Sequence, residues 1–217
     1  MIVVTETQYT PAWWTARLGV PSASQFHRIL TKTRKPSLSG SESYIDELLA
    51  AEFLGEPQDG ADPSEWMERG INMEEEAVLY YEAMYGVDTE VIGFCTTDDG
   101  RVGCSPDRLV GEDGLLECKC PKASKIIGAL RGRYAHEYES QCQGQLFVTG
   151  RKWVDFIIYN PILPTTITRF EPDPDWVAAF EPALEDFLAR LSDARARLRD
   201  EYGLKVRAIL AGEGKEE

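Results

Sequence analysis

The sequence predicts an α/β fold in which helices flank a mixed central β-sheet. Three observations carry this. Short strand-like runs fill the middle of the 217-residue chain, between about 87 and 120. Helical patterns stand before and after them. Trp153 to Asn160 then reads as a further, buried strand through Val154, Phe156, Ile157 and Ile158.

The elements follow in order. Ser22 can cap a short helix through about Leu30. Thr31 to Gly40 is rich in Lys, Arg, Ser, Pro and Gly and reads as a mobile basic loop. Ser41 or Ser43 can cap a helix through Leu54, which Gly55 stops. Glu56 to Pro63 reads as a loop, and Ser64 as the cap of a long helix to about Tyr85, closed by Gly86. Strands are expected near 87–95, 101–105, 107–110 and 115–120, helices near 123–131 and 135–149, and another strand near 165–170. Asp175 to about Tyr202 is a final amphipathic helix. Residues 1–210 are expected to form one domain and 211–217 a disordered tail.

With 43% hydrophobic residues the chain can bury a real core. No apolar run approaches the roughly 18 residues of a membrane span. The N-terminus lacks a basic segment followed by an apolar one, so no secretory signal is expected. Five cysteines, an odd number, fit small buried positions in a reducing cytosol better than a disulfide framework. Cys118-x-Cys120 lacks zinc-ligand spacing, with only His27 and His136 as partners.

The net charge of −14 looks wrong for an enzyme acting on DNA, because phosphate binding needs cations. Its distribution says more. Residues 7–41 hold Arg17, Arg28, Lys32, Arg34 and Lys35 and no acid. Residues 118–136 hold Lys119, Lys122, Lys125, Arg131 and Arg133, again with no acid. The remainder carries 13 basic against 37 acidic residues. Such segregation suggests a basic inner surface on an acidic body. Chance clustering on solvated faces is the alternative.

Three stretches supply candidate chemistry: Glu74 in a helical run, Ser105-Pro106-Asp107, and Glu117-Cys118-Lys119. Gly111-Glu112-Asp113-Gly114 is a turn signature between Arg108-Leu109-Val110 and Leu115-Leu116, so a hairpin can bring Asp107 beside Glu117. Two close carboxylates repel and are stable mainly around a cation. On a strand, Glu117 and Lys119 point to one face and Cys118 to the other. Mg²⁺ prefers hard oxygen ligands, and phosphodiester hydrolysis uses such an ion on the phosphate and its water. The set therefore suits a metal-dependent nuclease. A solvated hairpin with incidental charges is the bland reading.

Several motifs together resemble the phage lambda exonuclease family, also called YqaJ-type viral recombinases, of the Asp…Glu-x-Lys restriction-endonuclease-like superfamily. They are Arg17-Leu18-Gly19-Val20 running on to Ser22-Ala23-Ser24, Gly70 with Glu74 four positions on, Cys104-Ser105-Pro106-Asp107, Leu116-Glu117-Cys118-Lys119-Cys120-Pro121, and Gln141-x-Gln143 leading to Val148-Thr149. They span roughly residues 13 to 160; the C-terminal helix matches no motif.

The resemblance implies a Mg²⁺-dependent (or Mn²⁺-dependent) 5′→3′ exonuclease that digests one strand of linear duplex DNA and leaves 3′ overhangs for annealing-type recombination. It implies two ions, held by Asp107, Glu117 and the Cys118 backbone carbonyl, with Glu74 completing a second position. Lys119 would orient or deprotonate the attacking water, its pKa lowered by the ions, and Gln141 would help hold that water or Lys119. Arg17, Ser24 and Ser105 would bind a 5′-phosphate, and Arg34 would contact DNA ahead of the site. Trp66 and Met67 lie where an apolar wedge would part the duplex, although on a helix both suit a core. The family also implies a ring-shaped homotrimer around DNA, a phage single-strand annealing protein as partner, no membrane, and the cytoplasm of a bacterial host.

Alternatives remain. An iron–sulfur relative would need four cysteine ligands, several near the C-terminus, yet the last cysteine is Cys142. A restriction-type or structure-specific endonuclease would share the core but cut closed circles. A non-catalytic DNA-end-binding module is disfavoured by the presence of Asp107, Glu117 and Lys119 together.

Overall fold

Strand residues 114–119 are apolar on both faces apart from one acid and one lysine, so they belong at the centre of the molecule. The structure, a computed structural model, describes residues 1–4, 8, 10–56, 65–133 and 136–205, and among these not the side chains of 65–72, 136 and 137. In chain order it contains β1 (Ile2–Val4), α1 (Pro11–Arg17), a 3₁₀ helix (Ala23–Arg28), α2 (Leu38–Leu54), α3 (Glu65–Tyr85), β2 (Thr89–Val91), β3 (Phe94–Thr96), β4 (Gly103–Cys104), β5 (Arg108–Val110), β6 (Gly114–Lys119), α4 (Ala123–Leu130), α5 (His136–Thr149), β7 (Trp153–Ile158), β8 (Thr166–Phe170) and α6 (Pro174–Tyr202).

The main sheet has the order β2-β5-β6-β7-β8. It is mixed, because β6 and β7 run parallel while the other neighbouring pairs are antiparallel. A parallel pair needs a crossover, which α4 and α5 supply. A second, antiparallel sheet has the order β1-β3-β4.

Both faces of β6 are covered. On one, Leu115 packs with Ile126 of α4, Cys142 and Leu146 of α5, and Phe156. On the other, Leu116 and Cys118 pack with Ala77, Val78 and Tyr81 of α3. A third cluster joins the 3₁₀ helix, α2 and α6 through Phe26, Leu48, Trp176, Phe180 and Phe187. Trp176 stacks on Phe180 at 4.4 Å, and Phe26 lies 4.7 Å from Phe180. Full burial of each such ring contributes about 1.5–3 kcal/mol. A charge away from the hairpin also sits inside this framework. Asp155 of β7 is buried, accepts two bonds from the Arg169 guanidinium at 2.8 and 2.7 Å, and accepts a third from the Tyr81 hydroxyl at 2.7 Å.

The mixed sheet flanked by helices is the expected fold class. Several details differ from expectation. The run 87–95 is two strands, and β2 and β3 belong to different sheets. The helix after Ser22 is 3₁₀, with Ser22 at its N-cap but making no side-chain cap bond. The expected loop at 31–40 is shorter, because α2 begins at Leu38 with Ser37 at its N-cap. Ser41 and Ser43 therefore lie inside α2, where their hydroxyls donate to the Arg28 and Ser39 carbonyls at 3.2 and 3.3 Å. β1 and α1 were not expected. The signal for α1 was present in Thr10-Pro11: the Thr10 side chain accepts from the Trp13 N–H, and Pro11 opens the helix. The proposed Ser64 cap, most of the 56–63 loop and the tail lie outside the described residues. Among the described residues no helix is long and apolar enough to cross a membrane.

Candidate active site

The hairpin does what its turn residues suggest. Gly111 adopts φ +54°, which a side chain would disfavour, and the chain folds back there. The register pairs Arg108 with Leu116 and Leu109 with Leu115. One step further along that register sets Asp107 opposite Glu117. The Cys118 N–H donates to Asp107 Oδ2 at 2.6 Å. Asp107 and Glu117 are both buried, at 8% and 1% exposure, which is unusual for carboxylates.

Glu117 faces α5, as the strand alternation from Leu115 requires. Its Oε1 accepts from Lys119 Nζ and from Gln141 Nε2, the latter at 2.6 Å. Its Oε2 accepts from Gln145 Nε2 at 2.5 Å. Glu117 and Lys119 thus share a face, while Cys118 turns into the α3 core. The sequence reading missed Gln145. It stands four residues after Gln141, on the same face of a helix, and that spacing could have revealed it. Glu74 approaches from α3. Its Oε1 lies 3.8 Å from the Arg108 guanidinium, which also bonds Glu75 at 2.6 Å and the Asp107 carbonyl at 2.8 Å.

The electrostatics follow from this crowding. Burial, then the charges of Glu117 and Glu74, hold the Asp107 carboxyl well above the usual carboxylate range. Burial and the Glu117 charge also raise Glu74, with Arg108 partly offsetting them. Burial works against the charge on Lys119, but the Glu117 and Asp107 carboxylates and the hydrogen bond to Glu117 outweigh it and raise its pKa. In the protein alone Lys119 is therefore an ammonium. The lowering expected from two cations would have to overcome these acids.

Among the described residues no three Asp, Glu, His or Cys side chains stand in ready metal-binding geometry. The polar contacts of Glu117 are with Lys119, Gln141 and Gln145. The donor chemistry nonetheless fits a hard divalent cation: the three carboxyls are mutually repelling oxygen donors, and a cation among them would relieve the repulsion.

The residues expected to bind phosphate sit at one border of this site. Ser22 bridges Gly103 in parallel, and the Gly103 N–H donates to the Pro21 carbonyl at 2.9 Å, so the start of the 3₁₀ helix runs beside β4 and Ser105. Gly144 of α5 admits the 3₁₀ helix closely; a Cβ there would fall 2.5 Å from Phe26 Cδ2 and 2.9 Å from Ala23 Cβ. Trp13 joins two of the three predicted residues. Its indole N–H donates to Ser105 Oγ at 3.1 Å, and the Arg17 guanidinium lies 4.2 Å from its ring centroid. The Ser24 hydroxyl is 3.1 Å from that of Ser22. Arg17, Trp14, Ser22, Gln25 and Tyr44 border a cavity of about 100 Å³, which Ser24 and Ser105 do not line.

Arg34 has φ +57° and bonds Asp173 Oδ2 at 2.5 Å. Arg28 is likewise committed, to Glu47 at 2.5 and 2.8 Å. The basic segment 7–41 is thus partly neutralised within the protein, whereas Lys125, Arg131 and Arg133 in the second segment are exposed. The side chains of Trp66 and Met67 lie outside those described.

Known proteins of similar structure and sequence identify the family. The alkaline exonuclease LHK-Exo from Laribacter hongkongensis has a similar structure, with TM-score 0.78 and 32% identity over 89% of this chain and 98% of that one. LHK-Exo in complex with dAMP gives TM-score 0.79 and 31% identity over the same shares. A phage-related exonuclease from Haemophilus somnus 129PT, at 12% identity, TM-score 0.61 and coverage of 82% and 96%, shares the fold. No curated protein matches the chain. The YqaJ-like viral recombinase domain matches residues 12–152. With the opposed Asp107 and Glu117, Lys119 on the same strand face and this match over most of its length, the chain belongs to the YqaJ-like viral recombinase family.

Proposed function

We propose that the chain is a Mg²⁺-dependent exonuclease that digests the 5′ strand of linear duplex DNA from phosphorylated ends and leaves 3′ single strands for recombination by annealing. The carrying observation is the buried Asp107–Glu117 pair with Lys119 bonded to Glu117. Asp107, Glu117 and the Cys118 carbonyl would hold one cation and Glu74 a second. Bound there, the ions would neutralise the phosphate and lower the pKa of water. Relatives with about a third of their residues identical are named as exonucleases, and one is complexed with dAMP, the kind of mononucleotide such hydrolysis would release.

The protein's own groups have distinct tasks. Gln141 and Lys119 both reach Glu117 Oε1 and together fix the lysine beside the carboxylates. Lys119, held at Glu117 Oε1, would stand beside the cations to hold the attacking water. Arg17, Ser24 and Ser105 would grip the terminal phosphate, the guanidinium by paired charge-assisted bonds and the hydroxyls by single ones. Arg34 would exchange Asp173 for a DNA phosphate. Trp66 and Met67 would part the duplex. The exposed Lys125, Arg131 and Arg133 suit a channel lining, and a homotrimeric ring would enclose the DNA. A single-strand annealing protein would receive the 3′ strand.

The experiment is digestion of linear duplex with and without a 5′-phosphate, beside closed circles, in Mg²⁺. Nucleotides should leave the 5′ strand of phosphorylated linear DNA, and Asp107→Ala or Lys119→Ala should stop this. Arg17→Ala should remove the preference for phosphorylated ends. Equal digestion of closed circles would show an endonuclease instead, and DNA binding without Mg²⁺-dependent digestion would show an end-binding module.

A further inference from the structure

Glu117 has capacity for about four hydrogen-bond or metal contacts, two on each oxygen. Oε1 already accepts two, from Lys119 and Gln141. Oε2 accepts one, from Gln145 at 2.5 Å. Oε2 is therefore the oxygen with a lone pair left for a cation, and Gln145 is the donor that aims it.

Gln145 is an unexpected occupant of its position. It is 1% exposed, on a helix face shared with the buried Cys142 and Leu146. Its Oε1 is buried without a hydrogen-bond partner. An apolar side chain of that size would fill the space with no orphaned polar atom. What the amide provides is the bond to Glu117. Its own helix is fixed nearby, because Thr149 Oγ1 donates to the Gln145 carbonyl at 2.8 Å and the next residue, Leu146, is in the core.

We infer that Gln145 is a positioning residue for metal uptake: it holds Glu117 Oε2 in the orientation in which that oxygen ligates the cation. The inference rests on the metal reading above and deepens it. Gln141 and Gln145, one turn apart, then divide the carboxylate between them. Gln141 acts with Lys119 on one oxygen, and Gln145 presents the other to the ion. Donors behind a metal ligand commonly set metal affinity by roughly 10- to 100-fold without touching the ion.

The test is Mn²⁺ binding to the full chain without DNA, followed by titration calorimetry, for the wild type, Gln145→Met and Gln145→Leu. Met keeps the length and volume of the side chain and removes the amide, whose N–H makes the bond to Glu117 and whose oxygen has no partner. Both variants should bind Mn²⁺ about tenfold or more weakly. Their Mg²⁺ requirement for digestion should rise by a similar factor, and the rate at saturating Mg²⁺ should recover. A melting curve beside each titration checks the fold. Should one variant not fold, the other decides. Wild-type affinity in a folded variant overturns the inference and leaves the metal reading standing. A rate that stays low at saturating Mg²⁺ with unchanged Mn²⁺ affinity also overturns it. A wild-type chain that binds no Mn²⁺ removes the metal reading and the inference together.

Discussion

Asp107→Asn removes one of three crowded carboxyls and keeps its shape, since the amide oxygen can still accept the Cys118 N–H that now reaches Asp107 Oδ2 at 2.6 Å. Its effect should change sign with metal. Burial and the Glu117 and Glu74 charges raise the Asp107 pKa in the folded protein. A carboxyl raised by folding stabilises the fold while protonated. That contribution is complete below the unfolded value of about 3.9 and is lost as pH rises through the folded value. With a chelator present, the wild type should therefore lose melting temperature as pH rises above that unfolded value, and the Asn variant should lose less and melt higher at neutral pH. Excess Mg²⁺ should invert the order. A ligand at a hundred times its Kd adds about 2.7 kcal/mol. For a 217-residue chain that is roughly 5–11 °C, at about 2–4 °C per kcal/mol. The wild type should gain it and the variant most of it not, with nuclease activity lost. The assay is thermal melting across pH, with chelator and with Mg²⁺. A variant that melts below the wild type in chelator, or gains as much from Mg²⁺, would refute the reasoning.

Gly144→Ala places a methyl 2.5 Å from Phe26 and should cost about 1–3 kcal/mol by overpacking, while weakening discrimination between phosphorylated and unphosphorylated ends; unaltered melting would contradict the close approach. Burial pushes the Tyr44 hydroxyl up to about 12. The stability this represents, about 2–3 kcal/mol, is present below the ordinary value near 10 and disappears as pH rises through 12. Tyr44→Phe should thus flatten the alkaline side of the stability profile in urea titrations, and an equally steep fall would count against it. Arg169→Ala strands the buried Asp155 with only Tyr81 and should lower stability by about 3–5 kcal/mol. Asp155→Asn in that background should restore part of the loss, and a near-neutral Arg169→Ala in the same titration would show that the pair is not needed.

The geometry of the candidate site was legible where it depended on local rules. Strand alternation places Glu117 and Lys119 on one face, and the Gly-Glu-Asp-Gly turn sets the register that opposes Asp107 to Glu117. Helix ends marked by glycine were also readable. What could not be read depends on contacts between distant segments. Ile92-Gly93 divides one apparent strand because its halves find partners in different sheets. Gln145 looks like any helix glutamine until β6 is packed on α5. Arg34 and Arg28 count as free positive charge in a composition tally, yet each has a carboxylate partner. The bond from Trp13 to Ser105 spans 92 positions.

Helix α5 connects the parts of the proposed site, and it does so through different sides of one turn and a half. Gln141 and Gln145 face Glu117. Gln143 donates to the Glu171 carbonyl and accepts from the Asp173 N–H, each at 2.9 Å, and so fixes the start of α6. Asp173 caps α6 and pairs with Arg34. Gly144 seats the 3₁₀ helix that carries Ser24. On the proposed reading, the carboxylates, the phosphate pocket and the basic turn are therefore spaced by a helix with a rise of about 1.5 Å per residue, not by loops. That matters because misplacing a reacting group by about 1 Å can cost on the order of a hundredfold in rate. An enzyme that grips a terminal phosphate and cuts at a set distance from it needs such a spacer. Release of one nucleotide at a time would then follow from the packing of α5, with no base contact required to count.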